Sequence, residues 1–335
     1  MKFGKLTAAE LQSGILDVIK ARRNEVIVGP AAGEDCAVIR ATEGLVFLSS
    51  DPITGATSDL GYLAVHINCN DIAASGAEPL GLMVVLLMPP TADVEDVKNI
   101  MLEIEEAAKS LRIDVLGGHT EFTPAVNRPV VCATGVGMAR KAIKSRGVEP
   151  GDYIVMTKTA GIEGTYILAK DFVNKLEQPS ALKNAPEITG EDISDALTYL
   201  KKISVLPESR IMLKHEATGM HDATEGGVFG AAAELCRGAG LGASLQESKI
   251  PVSGTTRKFC ARLGLNPYKL LSGGSMLCTL KKPKPLIDEL QAAGIEAAVI
   301  GRMTERGAGV ASLGKRGAET QIEAEPDELN KLFTE

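Results

Sequence analysis

The stretch HINCNDIAASGAEP, residues 66–79, decides how the first half of this chain is read. Wound at about 3.6 residues per turn, residues 60–75 place Leu60, Leu63, Ala64, Ile67 and Ala74 on one face, with Asp71 near its centre. The opposite side carries Val65, Cys69, Ile72 and Ala73. A helix that is apolar all round is a buried helix. An ionised carboxylate is prohibitively costly to bury unless something faces it. The local sequence therefore predicts a central helix and, for Asp71, a partner supplied from elsewhere in the fold.

The wider composition sets bounds on that fold. A chain of 335 residues is long enough for two domains, because a single core stops growing at about 250–300 residues. Lys and Arg number 36 against 43 Asp and Glu, a net charge of −7, which argues against a general nucleic-acid binder. Trp is absent and aromatics are 4%, which leaves little on which to stack bases. The opening MKFGKLTAAELQSGILDVIKARR is amphipathic and charged, without the apolar core of a signal peptide. No apolar run approaches the roughly 18 residues of a membrane span. Cys36, Cys69, Cys132, Cys236, Cys260 and Cys278 form no CxxC pair and read as small buried hydrophobes of a reducing compartment. The expectation is a cytoplasmic protein with neither nucleic acid nor membrane as partner.

Along the first half, strands and helices alternate. Residues 36–40 and 45–50 read as a hairpin turning at 42–44, 58–76 as the buried helix, and 80–89 as a continuous apolar strand. Residues 93–111 form an amphipathic helix opened by Thr91 and Asp93, 113–118 a strand ending in two glycines, and 128–139 another strand. Pro150 and Gly151 mark a turn at a domain boundary, giving domains over 1–148 and 149–335. In the second half, 152–157 is a strand and helices follow near 164–176, 191–203 and 207–217, the last with Pro207 in its first turn. The polar stretch 174–190 reads as a loop, and 220–240 as a loop running into a helix. Then come helix 255–264, strand 275–281, helix 283–293 and strands near 296–302 and 308–313. Mixed order of this kind predicts two α/β or α+β domains.

Asp71 has acidic company. Asp35 lies between the glycine-rich turn containing Gly33 and a strand, and Asp51 just past a strand end in LSSDPITG. Gly117, Gly118, His119, Thr120 and Glu121 follow another strand. Glycines let backbone N–H groups approach an anion closely, and Mg²⁺ is usually held by one or two carboxylates plus phosphate oxygens. Asp35, Asp51 and Asp71 thus compose a candidate Mg²⁺–nucleotide site. Each also has an ordinary reading: a helical Asp paired with a local cation or donor, or Asp51 opening a turn before Pro52. His66 and His119 read as hydrogen-bonded polar residues, since no second His or Cys stands at ligand spacing. In HDATEGGVFGAAAE, Thr224 or Asp222 can cap a helix whose first turn is bare at Gly226 and Gly227, an anion site by its free N–H groups. The plain alternative is a cap followed by packing glycines. Neither G-x-x-x-x-G-K-[ST] nor G-x-G-x-x-G occurs there. LLSGGSMLCTL, 270–280, sets glycines before a strand.

In order and spacing, FGKLTAAEL (3–11), VGPAAGEDCAVI (28–39), SSDPITG (49–55), NDIAASGAEP (70–79), GGHTE (117–121), MHDATEGGVFGAAAE (220–234) and SGGSM (272–276) resemble the PurM superfamily of ATP-dependent enzymes. Members include AIR synthase, the hydrogenase maturation protein HypE, thiamine-monophosphate kinase and selenophosphate synthetase, and the HypE-like proteins are the nearest in look. The resemblance implies a two-domain PurM-like fold: an N-terminal ATP- and Mg²⁺-binding domain whose sheet closes a barrel with a second copy, and a C-terminal α+β domain. It implies metal ligands at Asp35, Asp51 and Asp71, with Glu121 substituting where His119 stands in place of an acidic residue. It implies ATP or phosphate contacts at Lys5, Gly33, Asn70, Gly117, Gly118, Thr120, Thr224, Gly226 and Gly227. It also implies a homodimer and ATP-driven activation of an amide or carbonyl oxygen, on a small-molecule or protein-borne substrate left open. HypE acts on a cysteine in a Pro-Arg-Ile-Cys ending, whereas this chain ends EPDELNKLFTE, so that chemistry in its usual form is not expected. Two alternatives stand beside this reading: a non-catalytic ATP-binding partner or regulator in a maturation pathway, and a thiamine-monophosphate kinase-like phosphotransferase.

Overall fold

The computed structural model describes residues 26–28, 36–41, 43–143, 147–178, 182, 184–307, 309–314, 319–322 and 326–333. They form two compact units, one comprising 26–28 and 36–142 and the other beginning at Ile143.

The first unit is built on β1 (Val26–Val28), β2 (Ala37–Arg40), β3 (Leu45–Pro52), β4 (Glu78–Met88), β5 (Asp114–Phe122) and β6 (Val130–Ala139), in sheet order β1-β2-β3-β6-β4-β5. β4 and β5 run parallel and the other neighbours antiparallel. Helix α1 (Leu60–Ala74) lies on one face and α2 (Val94–Leu111) lies over α1. Asp93 starts α2 with a capping box: its carboxylate accepts from the Glu95 and Asp96 N–H groups at 2.8 and 3.0 Å, and Asp96 returns the bond. Glycines set the layer spacing. A side chain at Gly61 would strike the Ile100 carbonyl of α2, and one at Gly137 of β6 would strike Ile72 of α1. Sandwiched between sheet and helix, α1 needs no solvent-facing side, which is why apolar residues occur all round it and its polar side chains His66, Asn68, Asn70 and Asp71 are buried.

Among the described residues the opposite face of this sheet is open: Leu80, Met83 and Val85 of β4, Leu116 of β5 and Met138 of β6 are exposed there.

The second unit has a seven-stranded sheet in the order β13-β12-β9-β11-β7-β10-β8. The strands are β7 (Tyr153–Thr157), β8 (Gly219–Ala223), β9 (Gly242–Gln246), β10 (Ser275–Leu280), β11 (Ala297–Thr304), β12 (Val310–Leu313) and β13 (Glu319–Gln321). Helices α3 (Ile162–Asp171), α4 (Val173–Glu177), α5 (Gly190–Leu197), α6 (Leu206–Lys214), α7 (Gly227–Ala239), α8 (Gly254–Leu263) and α9 (Pro283–Ala292) complete it. Ile154, Met156, Leu245, Leu277 and Ile300 of the sheet pack on Val228, Phe229 and Ala232 of α7. The helix expected over 164–176 is two helices, because Phe172 leaves helical geometry at φ −122° and ψ 22°. Among the described residues no helix is long and apolar enough to cross a membrane.

Candidate functional site

Asp71 faces β3. Its Oδ2 accepts a hydrogen bond from the Ser49 hydroxyl, and both residues are 8% exposed. Phe47 and Ser49 point to the helix side of β3, and Asp51 shares that side because side chains alternate along a strand. Ser49 and Asp51 are two residues apart, so their Cα atoms stand about 7 Å apart. The Asp51 carboxylate therefore rises one strand repeat from the Ser49–Asp71 contact, on the same face. Asn68, fully buried, fixes that register: its Oδ1 accepts from the Asp51 N–H at 3.1 Å and its Nδ2 donates to the Ala64 carbonyl at 2.9 Å. Asn70 is also buried. Burial, together with the nearby Asp71 and Glu78 carboxylates, pushes the Cys69 thiol up to about 12, so this cysteine is inert and the helix end is electronegative.

Asp51 lies within β3 rather than past its end, and 117–121 lies within β5 rather than after it. Gly118 serves the strand pairing: at φ 154° it lets β5 close on β4, and a Cβ there would collide with the Val84 backbone. Gly117 is likewise extended, at φ 151°. Thr120 pairs with Leu86, which points to the helices, whereas His119 and Glu121 pair with Val85 and Leu87 and share the open face. There His119 Nε2 stands 3.3 Å from Glu121 Oε2, both exposed. Three strand spacings separate β5 from β3, about 14 Å. Within one chain, then, Glu121 does not join Asp51 and Asp71. Lys5, Gly33 and Asp35 lie outside the described residues. Among those described, no three His, Cys, Asp or Glu side chains close into a metal cage. Two carboxylates are the protein ligand count that Mg²⁺ on a polyphosphate commonly uses, and Asp51 and Asp71 share the helix side of β3.

In the second unit, β8 leads through 224–226 into α7. Neither Asp222 nor Thr224 caps the helix. Asp222 is buried in β8, the N-cap is Gly226 at φ 79°, and the Thr224 carbonyl accepts from Gly227 and Ser272 at 3.0 and 3.3 Å. Gly227 has no room for a side chain beside the Tyr268 and Leu270 carbonyls, 2.6 and 2.8 Å from where its Cβ would lie. The Gly226 N–H donates to Asp327 Oδ2 at 2.8 Å. Burial pushes the Asp327 carboxyl up to about 7, against three backbone N–H donors that hold it down. Glu163, in the first turn of α3, is pushed up to about 8 by burial, with Asp327, Glu225 and Asp222 adding to it. Sequence reasoning missed Ser49, Asn68, Glu163 and Asp327. Only Ser49 had a local signal, the period-two alternation Phe47, Ser49, Asp51.

The model of the AIR synthase related protein N-terminal domain matches residues 33–139, and that of the C-terminal domain matches 149–314. The chain is 29% identical over 237 residues to a putative hydrogenase expression/formation protein of Methanocaldococcus jannaschii, covering 69% of this chain and 65% of that protein, just under two thirds of its length. It is 29% identical over 274 residues to the carbamoyl dehydratase HypE of Azotobacter vinelandii, covering 79% and 74%. Among solved structures it resembles HypE in a HypE–HypF complex at TM-score 0.73 and 21% identity, covering 95% of this chain and all of that one. HypE in complex with ATP gives TM-score 0.70 at 20% identity, covering 94% and 90%. AaThiL complexed with AMPPCP and TMP gives 0.72 at 20%, covering 97% and 98%.

Proposed function

The chain belongs to the AIR synthase related family, and from that premise we propose that it is an ATP- and Mg²⁺-dependent enzyme that phosphorylates an amide or carbonyl oxygen of a substrate still to be identified. The observation that carries this is the buried Asp71, the one carboxylate of its helix, which accepts from Ser49 and has Asp51 on the facing strand side. Asp51 and Asp71 would hold Mg²⁺, with Asn70 beside them and Asp35 as the further ligand the resemblance implies. Held there, Mg²⁺ would supply charge neutralisation for the transferred phosphoryl group. The substrate oxygen attacks the γ-phosphorus, the bond to the bridging oxygen breaks, and ADP departs with its electron pair. Positioning and charge neutralisation are the main terms the protein supplies. The ATP complex of HypE and the AMPPCP complex of AaThiL support the nucleotide, and the name carbamoyl dehydratase supports oxygen activation.

The open apolar sheet face supports a homodimer, since contiguous exposed apolar surface marks an interaction site. His119 and Glu121 lie on that face, so any metal role for Glu121 would run through the second copy.

The test is isothermal titration of ATP with Mg²⁺ into the full chain. No ATP binding would end the proposal. Binding without release of ADP, across amide and carbonyl substrates and thiamine monophosphate, would favour the non-catalytic ATP-binding partner.

A further inference from the structure

Lys158, the residue after β7, has φ 53°, in the left-handed region that L side chains rarely adopt and glycine enters freely. The backbone favours glycine there, so the lysine is explained by its side chain. Its Nζ ends among four oxygens: Glu208 Oε1 at 2.6 Å and the carbonyls of Ser204, Gly274 and Lys202 at 2.7, 3.0 and 3.1 Å. An ammonium has three protons to donate, so this shell holds more oxygens than the lysine serves one to one. The oxygens come from separate stretches of chain, and the local structure brings them together. Lys202 ends a 3-10 turn, where carbonyls lack a partner within the helix. Gly274, at φ 99°, comes so close that a Cβ would lie 2.5 Å from the Lys202 carbonyl oxygen. Glu208 of α6 is fully buried and supplies the one negative charge, and its Oε2 has no hydrogen-bond partner.

Backbone carbonyls gathered around a point replace the hydration shell of a monovalent cation. One carboxylate balances one positive charge. A divalent ion would leave surplus charge buried and would call for about six or more oxygens. We propose that the oxygens of Lys202, Ser204, Glu208 and Gly274 form a site for a monovalent cation of ammonium or potassium size, which this chain fills with its own Lys158 ammonium. The tethered charge frees the site from the salt around it. It also ties the end of β7 and the start of α6 to Gly274, next to the Gly273 N–H that donates to Glu163. The Lys158 side chain is 18% exposed, so solvent ions reach the site once the lysine is removed.

Lys158→Gly empties the site and relieves the backbone. Thermal unfolding of the full-length variant and of the wild type is compared in ammonium, potassium, lithium and choline chlorides of equal ionic strength. Ammonium or potassium is expected to raise the Tm of the variant, relative to choline, by at least about 4 °C more than it raises that of the wild type, as an ion at about ten times its Kd would. Lithium, far smaller, is expected to give little of this rescue. A variant that folds in ammonium chloride but not in choline chloride shows the same rescue in its extreme form. A variant whose Tm follows that of the wild type in all four salts overturns the proposal. Should Lys158→Gly fold in none of them, Lys158→Arg decides. A planar guanidinium keeps the charge opposite Glu208 but cannot aim its donors at oxygens set around one point, and a Tm loss of at least about 4 °C is expected. Wild-type Tm in Lys158→Arg overturns the proposal, since an ordinary ion pair tolerates that exchange.

Discussion

Replacing Asp71 by Asn separates a carboxylate kept for the fold from one kept for a ligand, because the two predict opposite signs. Asn has the same shape and still offers Ser49 an acceptor. If the carboxylate serves the fold, Asp71→Asn loses a hydrogen bond to a charged group, about 1.5–3 kcal/mol. If it serves Mg²⁺, the ligand-free protein carries a buried charge that the metal has yet to meet, and the substitution is neutral or stabilising by about 1 kcal/mol. Ligand sharpens the contrast. At a concentration of 100 Kd, Mg²⁺–ATP adds about 2.7 kcal/mol to wild-type stability. A variant binding a hundredfold more weakly gains only about 0.4 kcal/mol under the same conditions. At about 4 °C per kcal/mol for a unit of this size, the lost increment is roughly 9 °C in Tm. The assay is thermal unfolding of both proteins with and without Mg²⁺–ATP. An Asp71→Asn protein destabilised by about 2 kcal/mol without ligand, yet showing the full ligand increment, would refute the assignment.

Gly118→Ala forces a methyl into the Val84 backbone and is expected to cost about 1–3 kcal/mol and to expose β5 in hydrogen exchange, whereas Gly190→Ala, with nothing within 4 Å, changes Tm little. Lys158 Nζ lies 2.6 Å from the fully buried Glu208 and donates to the Lys202, Ser204 and Gly274 carbonyls; Lys158→Met strands that carboxylate and is expected to cost about 3–5 kcal/mol in urea unfolding. Glu163 and Asp327 have folded pKa values of about 8 and about 7, above their ordinary values. Their stabilising protonation is complete below about pH 4 and is lost as pH rises through 7 to 8. Glu163→Gln is therefore expected to flatten the fall in Tm between pH 6 and 9, and an unchanged slope would count against it. With a wild-type dimer expected in sedimentation, Met83→Glu on the open sheet face is expected to give a monomer.

The elements were largely legible because burial writes a period into sequence. Helix α2 shows a capped, one-faced pattern, and α1 an apolar pattern that only a sandwiched helix can keep. β5 was misjudged at its C-terminal half for a physical reason. It is an edge strand with seven consecutive exposed residues, 116–122, so no alternation exists to be read. Its two glycines, needed for close pairing with β4, look like a strand end. The caps at α7 failed differently. Asp222 and Thr224 are local candidates, but the carboxylate that serves Gly226 comes from 101 residues away, and nothing in a local window signals a partner that tertiary folding brings in.

Both units bury carboxyl groups, and the way each is satisfied separates their roles. Lys158 and Glu208 form a buried pair with opposite charges at 2.6 Å, and Asp192 has Lys258 at 2.6 Å; such groups are explained by the fold that contains them. Asp71 accepts from the Ser49 hydroxyl on the facing strand, and Glu163 sits among other carboxyls with the Gly273 N–H as a donor. In the proposed reading the Asp71 carboxylate is there for a cation, whose charge it completes when a ligand is present.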